Sequence, residues 1–212
     1  VSWKRAVEEL ALPADGRVPP AFKAYHAAVA LLMIGREQPL GRYELCQNLS
    51  IGEGSVRTLL RRLTDAGYIT AEGRQGQRLT KRGEHLFAQI IEDVPMGLFL
   101  DLGTLTVFKY AYASLVRSRA EKVIDGVRQR DEAIVQGGRN RAGATTLVMK
   151  RGMLVMPPDN YNVLLSNERE TMLILESLRP QDGDAVVIGT SDDPSLAREV
   201  SMAAVMTLFE DD

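Results

Sequence analysis

Val56, Leu59, Leu60 and Leu63 recur at i, i+3, i+4 and i+7, and no other feature constrains the chain as strongly as this aliphatic stripe. At about 100° per residue the four side chains share one face, which predicts an amphipathic helix over Ser55–Asp65. Arg57, Thr58, Arg61 and Arg62 fall off the stripe. The apolar side would anchor such a helix, leaving guanidinium groups and a hydroxyl outside. That chemistry suits a DNA major groove, where arginine meets phosphate or guanine and threonine meets phosphate or a thymine methyl.

The flanking residues extend the pattern. Gly41–Asn48 reads as a short helix, with Tyr43, Leu45, Cys46 and Leu49 as candidate buried positions. Asn48–Gly54 carries the Gly, Ser and Asn of a sharp turn. Gly67 supplies a left-handed cap after the long helix. Tyr68–Thr70 and Arg78–Thr80 read as two short strands around the tip GRQGQ, Gly73–Gln77. Lys81–Ile91 restarts a helix, with Leu86, Phe87, Ile90 and Ile91 apolar. Upstream, Phe22–Gly35 is a strongly apolar helix with Phe22, Tyr25, Val29, Leu32 and Met33 as its core face, stopped near Gly35. Helix, turn, helix, two-stranded wing and helix together make a winged helix-turn-helix over residues 21–93. Its candidate DNA contacts are Ser55, Arg57, Thr58, Arg61 and Arg62 on the helix, and Arg74 and Arg78 on the wing.

Charge separates this reading from a plain solvated helix. Gly54–Arg82 holds seven basic and two acidic residues, a local net of +5, in a chain whose net charge is −2. A positive island on a slightly acidic protein fits a polyanion. Winged helices also dock proteins, so an adaptor is the competing use of the same module.

A chain of 212 residues suggests one or two domains. Val1–Leu10 forms a short helix with Trp3, Val7 and Leu10 on one side, and the prolines and glycine of Leu12–Pro20 make a linker after it. Residues 1–20 are then an arm, packed on its own body or swapped into a second copy. The longest apolar run, Ala27–Ile34, is too short for a bilayer, and no signal-peptide pattern opens the sequence as given. A single cysteine, Cys46, suits a reducing compartment, so the expected location is cytoplasmic.

The period of the pattern changes after Glu92–Pro95, which opens a second region, 94–212. Gly97–Leu102 and Leu105–Val116 are strand-like, the second including Val107. Arg119–Gly138 is mostly helical with an interruption at Gly126. Ala144–Met149 and Met153–Met156 form a hairpin around Lys150-Arg151-Gly152. Glu168–Leu178 is a helix, Gln181–Asp184 a turn and Ala185–Ile188 a buried strand. Pro194–Phe209 is a long helix capped by Asp192 or Asp193. The expected architecture is α/β (α+β): a winged helix followed by an α/β domain with a mixed sheet of four or five strands. With 13 basic and 17 acidic residues, the second region is not expected to touch DNA.

Four segments carry a resemblance: LGRYELCQNLSIGEGSVRTLLRRL, QRDEAI at Gln129–Ile134, GATTLV at Gly143–Val148 and DGDAVVIGTSDDP at Asp182–Pro194. Taken in that order, residues 25–209 resemble archaeal winged-helix proteins with an uncharacterised C-terminal domain. The resemblance implies a transcriptional regulator with an α/β C-terminal domain. It carries no ligand and no catalytic residues with it.

Little catalytic chemistry can be assembled from the sequence. Both histidines, His26 and His85, precede the second region, so no Ser-His-Asp or Cys-His site can form within it. Cys46, His26 and His85 lie on three different helices without metal-ligand spacing, so neither a metal nor a cofactor is expected. Asp131 and Glu132 are neighbours on a helix and point about 100° apart, which suits a solvated turn or ion pair better than an acid–base pair. Gly137-Gly138-Arg139, with Arg141 and Gly143, has the glycines of an anion nest but no nucleotide-loop ending. The best small-ligand candidate is Thr190, Ser191, Asp192 and Asp193, between a strand and a helix, where capping is the competing explanation.

The reading that combines these features is a non-enzymatic regulator that binds double-stranded DNA. A homodimer is expected, since one such helix buries little surface and the C-terminal helix is apolar at Leu196, Val200, Ala203, Ala204 and Leu208. The second region would dimerise, sense a small-molecule effector, or do both. A two-domain enzyme with a regulatory winged helix is the alternative from another class.

Overall fold

Trp3, Ala6, Val7 and Leu10 wind the start of the chain into α1 (Trp3–Ala11), all four buried against α2 and α4. Helix α2 (Ala24–Glu37) is buried from Tyr25 through Ile34. It does not stop at Gly35: there the Phe87 ring packs so closely that a Cβ would stand 2.4 Å from it. Helices α3 (Arg42–Asn48) and α4 (Glu53–Asp65) follow, then β1 (Ile69–Ala71) and β2 (Gln77–Leu79), then α5 (Lys81–Asp93). The computed structural model describes residues 2–13, 18–73 and 75–209. These divide into two compact units, Val1–Ile91 and Glu92–Asp212.

The first unit is a helix-turn-helix with a wing. Strands β1 and β2 pair antiparallel, and Leu40 bridges to β2 as a third segment, exchanging both backbone hydrogen bonds with Gln77. Gly76, at φ +135°, lets the wing close on that segment, since a Cβ there would stand 2.5 Å from the Leu40 carbonyl. Val56, Leu59, Leu60 and Leu63 are all buried, as the stripe requires. Leu45 and Leu49 are buried with them, but Tyr43 is 74% exposed. Tyr43 lies two residues before Leu45, about 200° around the helix, so it takes the outer side of α3.

In the second unit, β3 (Met96–Leu100), β4 (Tyr110–Val116), α6 (Val127–Gly137), β5 (Ala142–Lys150), β6 (Met153–Met156), β7 (Tyr161–Asn162), α7 (Glu168–Leu178), β8 (Ala185–Ser191) and α8 (Pro194–Met206) build one sheet with helices on both faces. Its strand order is β3-β4-β8-β5-β6-β7. The α/β (α+β) architecture holds, with six strands. Every ladder is antiparallel, in place of the mixed sheet expected from the sequence. Strands β4 and β5 do run the same way, joined through α6, but β8 arrives last and slots between them in the opposite direction. The expected strand at Leu105–Val116 begins only at Tyr110, and Val107 is exposed in the loop before it.

β8 is buried at every residue because both its faces are covered. Val186 and Ile188 join Ala113, Leu147, Ile174 and Leu178 on the side of α7. On the other side Ala142 packs with Ala133 of α6 and with Leu196 and Val200 of α8. Helix α8 lies so close to the sheet that a Cβ at Gly189 would stand 2.4 Å from the Ala197 carbonyl oxygen and the Ser201 nitrogen. Leu196, Val200, Ala203, Ala204 and Leu208 are all buried, and α8 packs on β4, β5, β8 and α6. The apolar residues that suggested a dimer face are therefore spent inside the chain.

The loop from Asp101 to Lys109 is pinned to the start of α7. Arg169 donates to Asp101 at 2.6 Å, and Thr104 Oγ1 donates to Asn167 Oδ1 at 2.8 Å. The hydrogen bond from Arg169, and its charge, hold the Asp101 carboxyl below its usual range. Burial would raise Glu170. Hydrogen bonds from its own backbone and from Thr104, together with the Arg169 charge, outweigh that and lower it. Both carboxyls are depressed in the folded state, so their stabilisation is complete above the ordinary carboxylate range and is lost as pH falls through the folded values. Protection of residues 101–109 against hydrogen exchange, taken relative to the intrinsic rate at each pH, should therefore fall on acidification before that of the strands. Protection lost together in loop and strands would refute this.

Candidate nucleic-acid interface

Helix α4 begins at Glu53, two residues before the expected start, with Gly52 as its N-cap. Glu53 then sits in the first turn, where a carboxylate suits the helix dipole. It also gathers two arginines: Arg57 Nη2 at 3.2 Å and Arg42 Nη2 at 3.6 Å. All three side chains are more than half exposed, so these pairs are weak and can be exchanged for a phosphate. Arg42, on α3, is not among the residues the sequence singles out. A single Arg at the start of a short helix carries no periodic signal, and only the fold brings it beside Glu53.

Ser55 and Thr58 are half-buried, and the Thr58 hydroxyl donates back to the Gly54 carbonyl at 3.0 Å. Arg57 and Arg61 are exposed. Arg62 does not join them. It lies five residues from Arg57, about 140° around the helix, on the opposite flank. There its Nη1 donates to the Leu10 carbonyl at 2.7 Å and to the Leu12 carbonyl, and the guanidinium stands 5.9 Å from the Phe22 ring centroid. Arg62 thus caps the carboxyl end of α1, where a cation is favoured. The sequence could not reveal this, because nothing local shows that α1 returns to α4.

On the wing, Arg78 is half-buried and its Nε donates to Glu72 across the hairpin. Arg74, the other wing residue expected to contact DNA, lies outside the described residues. Arg82, at the start of α5, stacks 4.9 Å from the Tyr68 ring centroid, while Lys81 beside it is exposed. Among the described residues, the surface assembled by the helix-turn-helix and wing therefore carries Arg42, Arg57, Arg61, Arg78 and Lys81. Glu53 and Glu72 are set among them.

The candidate ligand loop separates into different roles. The Ser191 hydroxyl donates to the Arg141 carbonyl at 2.7 Å and accepts from the Asp193 N–H. Asp192 accepts from the Lys109 N–H at 2.9 Å. Asp193 is the α8 cap, accepting from Ser195 and Leu196 N–H at 2.8 and 3.2 Å. Thr190 lines a cavity, together with Arg139, Asn140 and Gly143 from the glycine-rich stretch. Asp193→Ala should cost about 1 kcal/mol, the value of a lost N-cap. Asp192→Ala should cost less, since its partner N–H lies in an exposed loop. Urea denaturation of the two variants checks the order. No group of three or more His, Cys, Asp or Glu among the described residues is placed to hold a metal ion. No helix among them is long and apolar enough to cross a membrane.

Comparison with known proteins matches both halves of the chain. Residues 26–85 match the PH0730-like N-terminal domain, and residues 107–208 match a domain of unknown function, DUF4443. A solved structure, the hypothetical protein PH0730 from Pyrococcus horikoshii OT3, superposes with a TM-score of 0.74 at 24% identity, covering 90% of this chain and 95% of that one. At that identity the likeness shows a shared fold. No curated protein matches.

Proposed function

We propose that the chain is a transcriptional regulator that reads double-stranded DNA with α4 and supports it with the wing. The observation that carries this reading is the outer face of α4, where Arg57 and Arg61 are exposed beside Thr58. That face lies within the segment of local charge +5, in a chain at −2. Bases are reached by the helix and phosphates by Arg78 on the wing. The second unit serves dimerisation, sensing of a small molecule, or both, and the setting is the cytoplasm.

The test is binding to a random-sequence duplex across a series of salt concentrations. Log affinity should fall with log salt by about 0.9 for each phosphate neutralised. Absence of binding, or binding indifferent to salt, overturns the reading and favours protein docking. A homodimer is expected because one reading helix contacts only one half-site. Light scattering at tens of micromolar checks it, and a monomer there sinks that part. Its contact surface must lie elsewhere than the apolar face of α8, which is already covered.

A further inference from the structure

The cavity beside Thr190 has a volume of about 560 Å³, within the range of small-molecule sites. Two arginines, Arg130 and Arg139, reach its lining, and no carboxylate among the described residues does. This is notable in a region with four more acidic than basic residues. Arg130 pairs with its exposed neighbour Asp131, at 3.0 Å, a contact that is easily given up. Leu105, Phe108 and Ile134 supply an apolar wall.

One border of the cavity is an open strand edge. Strand β6 pairs with β5 only over Val148–Lys150, whereas β8 pairs with β5 from Ala142. Met149 exchanges both its backbone bonds on the β8 side, with Asp184 and Gly183. By alternation along the strand, the N–H and C=O of Ala144 point to the other side, along the lining of the cavity. Ala142 N–H is taken by the Gly138 carbonyl at 3.3 Å, and on that side β6 pairs with β5 only from Val148, so the ladder stops short of Ala144. The cavity therefore offers two guanidinium groups, the outward donor–acceptor pair of a strand edge that β6 does not reach, and an apolar wall.

We infer that this cavity binds a small organic carboxylate with an amide next to the carboxyl group and a compact apolar body, the chemistry of an N-acylated amino acid or a short peptide terminus. The planar guanidinium of Arg139 matches a carboxylate, with Arg130 adding charge. The amide takes the outward pair at Ala144, as one residue of an added strand would. The apolar body lies against Phe108 and Ile134. Inorganic phosphate would satisfy the arginines but leave the wall and the strand edge unused.

The test uses the full chain and calorimetric titration without DNA, so its outcome is independent of the regulator reading. The probes are N-acetylphenylalanine, its neutral amide, 3-phenylpropanoate and inorganic phosphate. N-acetylphenylalanine should bind tightest, with each of the others at least tenfold weaker. Arg139→Gln, an exposed substitution that leaves the core untouched, should weaken N-acetylphenylalanine at least tenfold, and Arg130→Gln by less. Failure of N-acetylphenylalanine to bind in the millimolar range overturns the inference. So does equal binding of the neutral amide, of 3-phenylpropanoate or of phosphate, and so does an Arg139→Gln variant that binds as well as the parent.

Discussion

Arg61→Ala is expected to lower the preference for operator over random duplex by about 1–3 kcal/mol, the value of one bidentate pairing with a base edge. Arg61 is exposed on the outer face of α4, opposite the buried Leu59 and Leu63, and no hydrogen bond or ion pair among the described residues holds it back. Arg78→Ala should leave that preference nearly unchanged and flatten the salt dependence by about 0.9 in the log–log slope for each phosphate it no longer neutralises. Glu72 already shares Arg78, so the observed change in slope should fall below the full value. An operator selected from a random duplex pool, titrated at several salt concentrations beside a scrambled duplex, gives both quantities. If both variants behave like the parent, α4 and the wing are not the reading surface.

Gly189→Ala should be the most damaging single methyl in the second unit, costing about 3 kcal/mol. An added Cβ would meet Ala197 O and Ser201 N at 2.4 Å and Ser201 Cα at 2.6 Å, all backbone atoms that cannot rotate away. The helix would have to lift from the sheet, breaking the hydrogen bonds that tie Ser201 to Ser114 and to the Val187 carbonyl. Far-UV circular dichroism during urea denaturation reads the loss. A variant within about 0.5 kcal/mol of the parent would show that α8 can move at little cost.

The elements legible in the sequence are those whose pattern is local. The stripe of α4, the Gly67 cap, the Lys150–Gly152 hairpin and the Glu168–Leu178 helix each declare themselves within a few residues. At the hairpin, Arg151 and Gly152 both take positive φ, as its tight turn requires. What stays hidden depends on parts of the chain that meet only after folding. Arg62 resembles a groove residue in sequence because nothing near it announces that α1 comes back to accept its hydrogen bonds. Gly35 resembles a helix stop, because a glycine that ends a helix and one that admits a ring from another helix look the same in sequence. The apolar residues of α8 suggest a partner until the sheet proves to be their cover. The cavity cannot be read as one site either. Its lining comes from the loop 104–108, from α6, from residues 139–145 and from Thr190, which meet only after folding.

The position of β8 sets the order in which the second unit can form during synthesis. β8 is the last strand of the sheet to be made and also the one on which both halves of the sheet depend. β3 and β4 on one side, and β5, β6 and β7 on the other, share no ladder until β8 enters. Until then each half exposes the edge and the apolar face that β8 and α8 will cover. Closure therefore waits for contacts between residues far apart in sequence, which makes it slow. A chain cut short before Ala185 would hold two unjoined half-sheets with bare edges, the kind of species that chaperones bind and that aggregates when they do not.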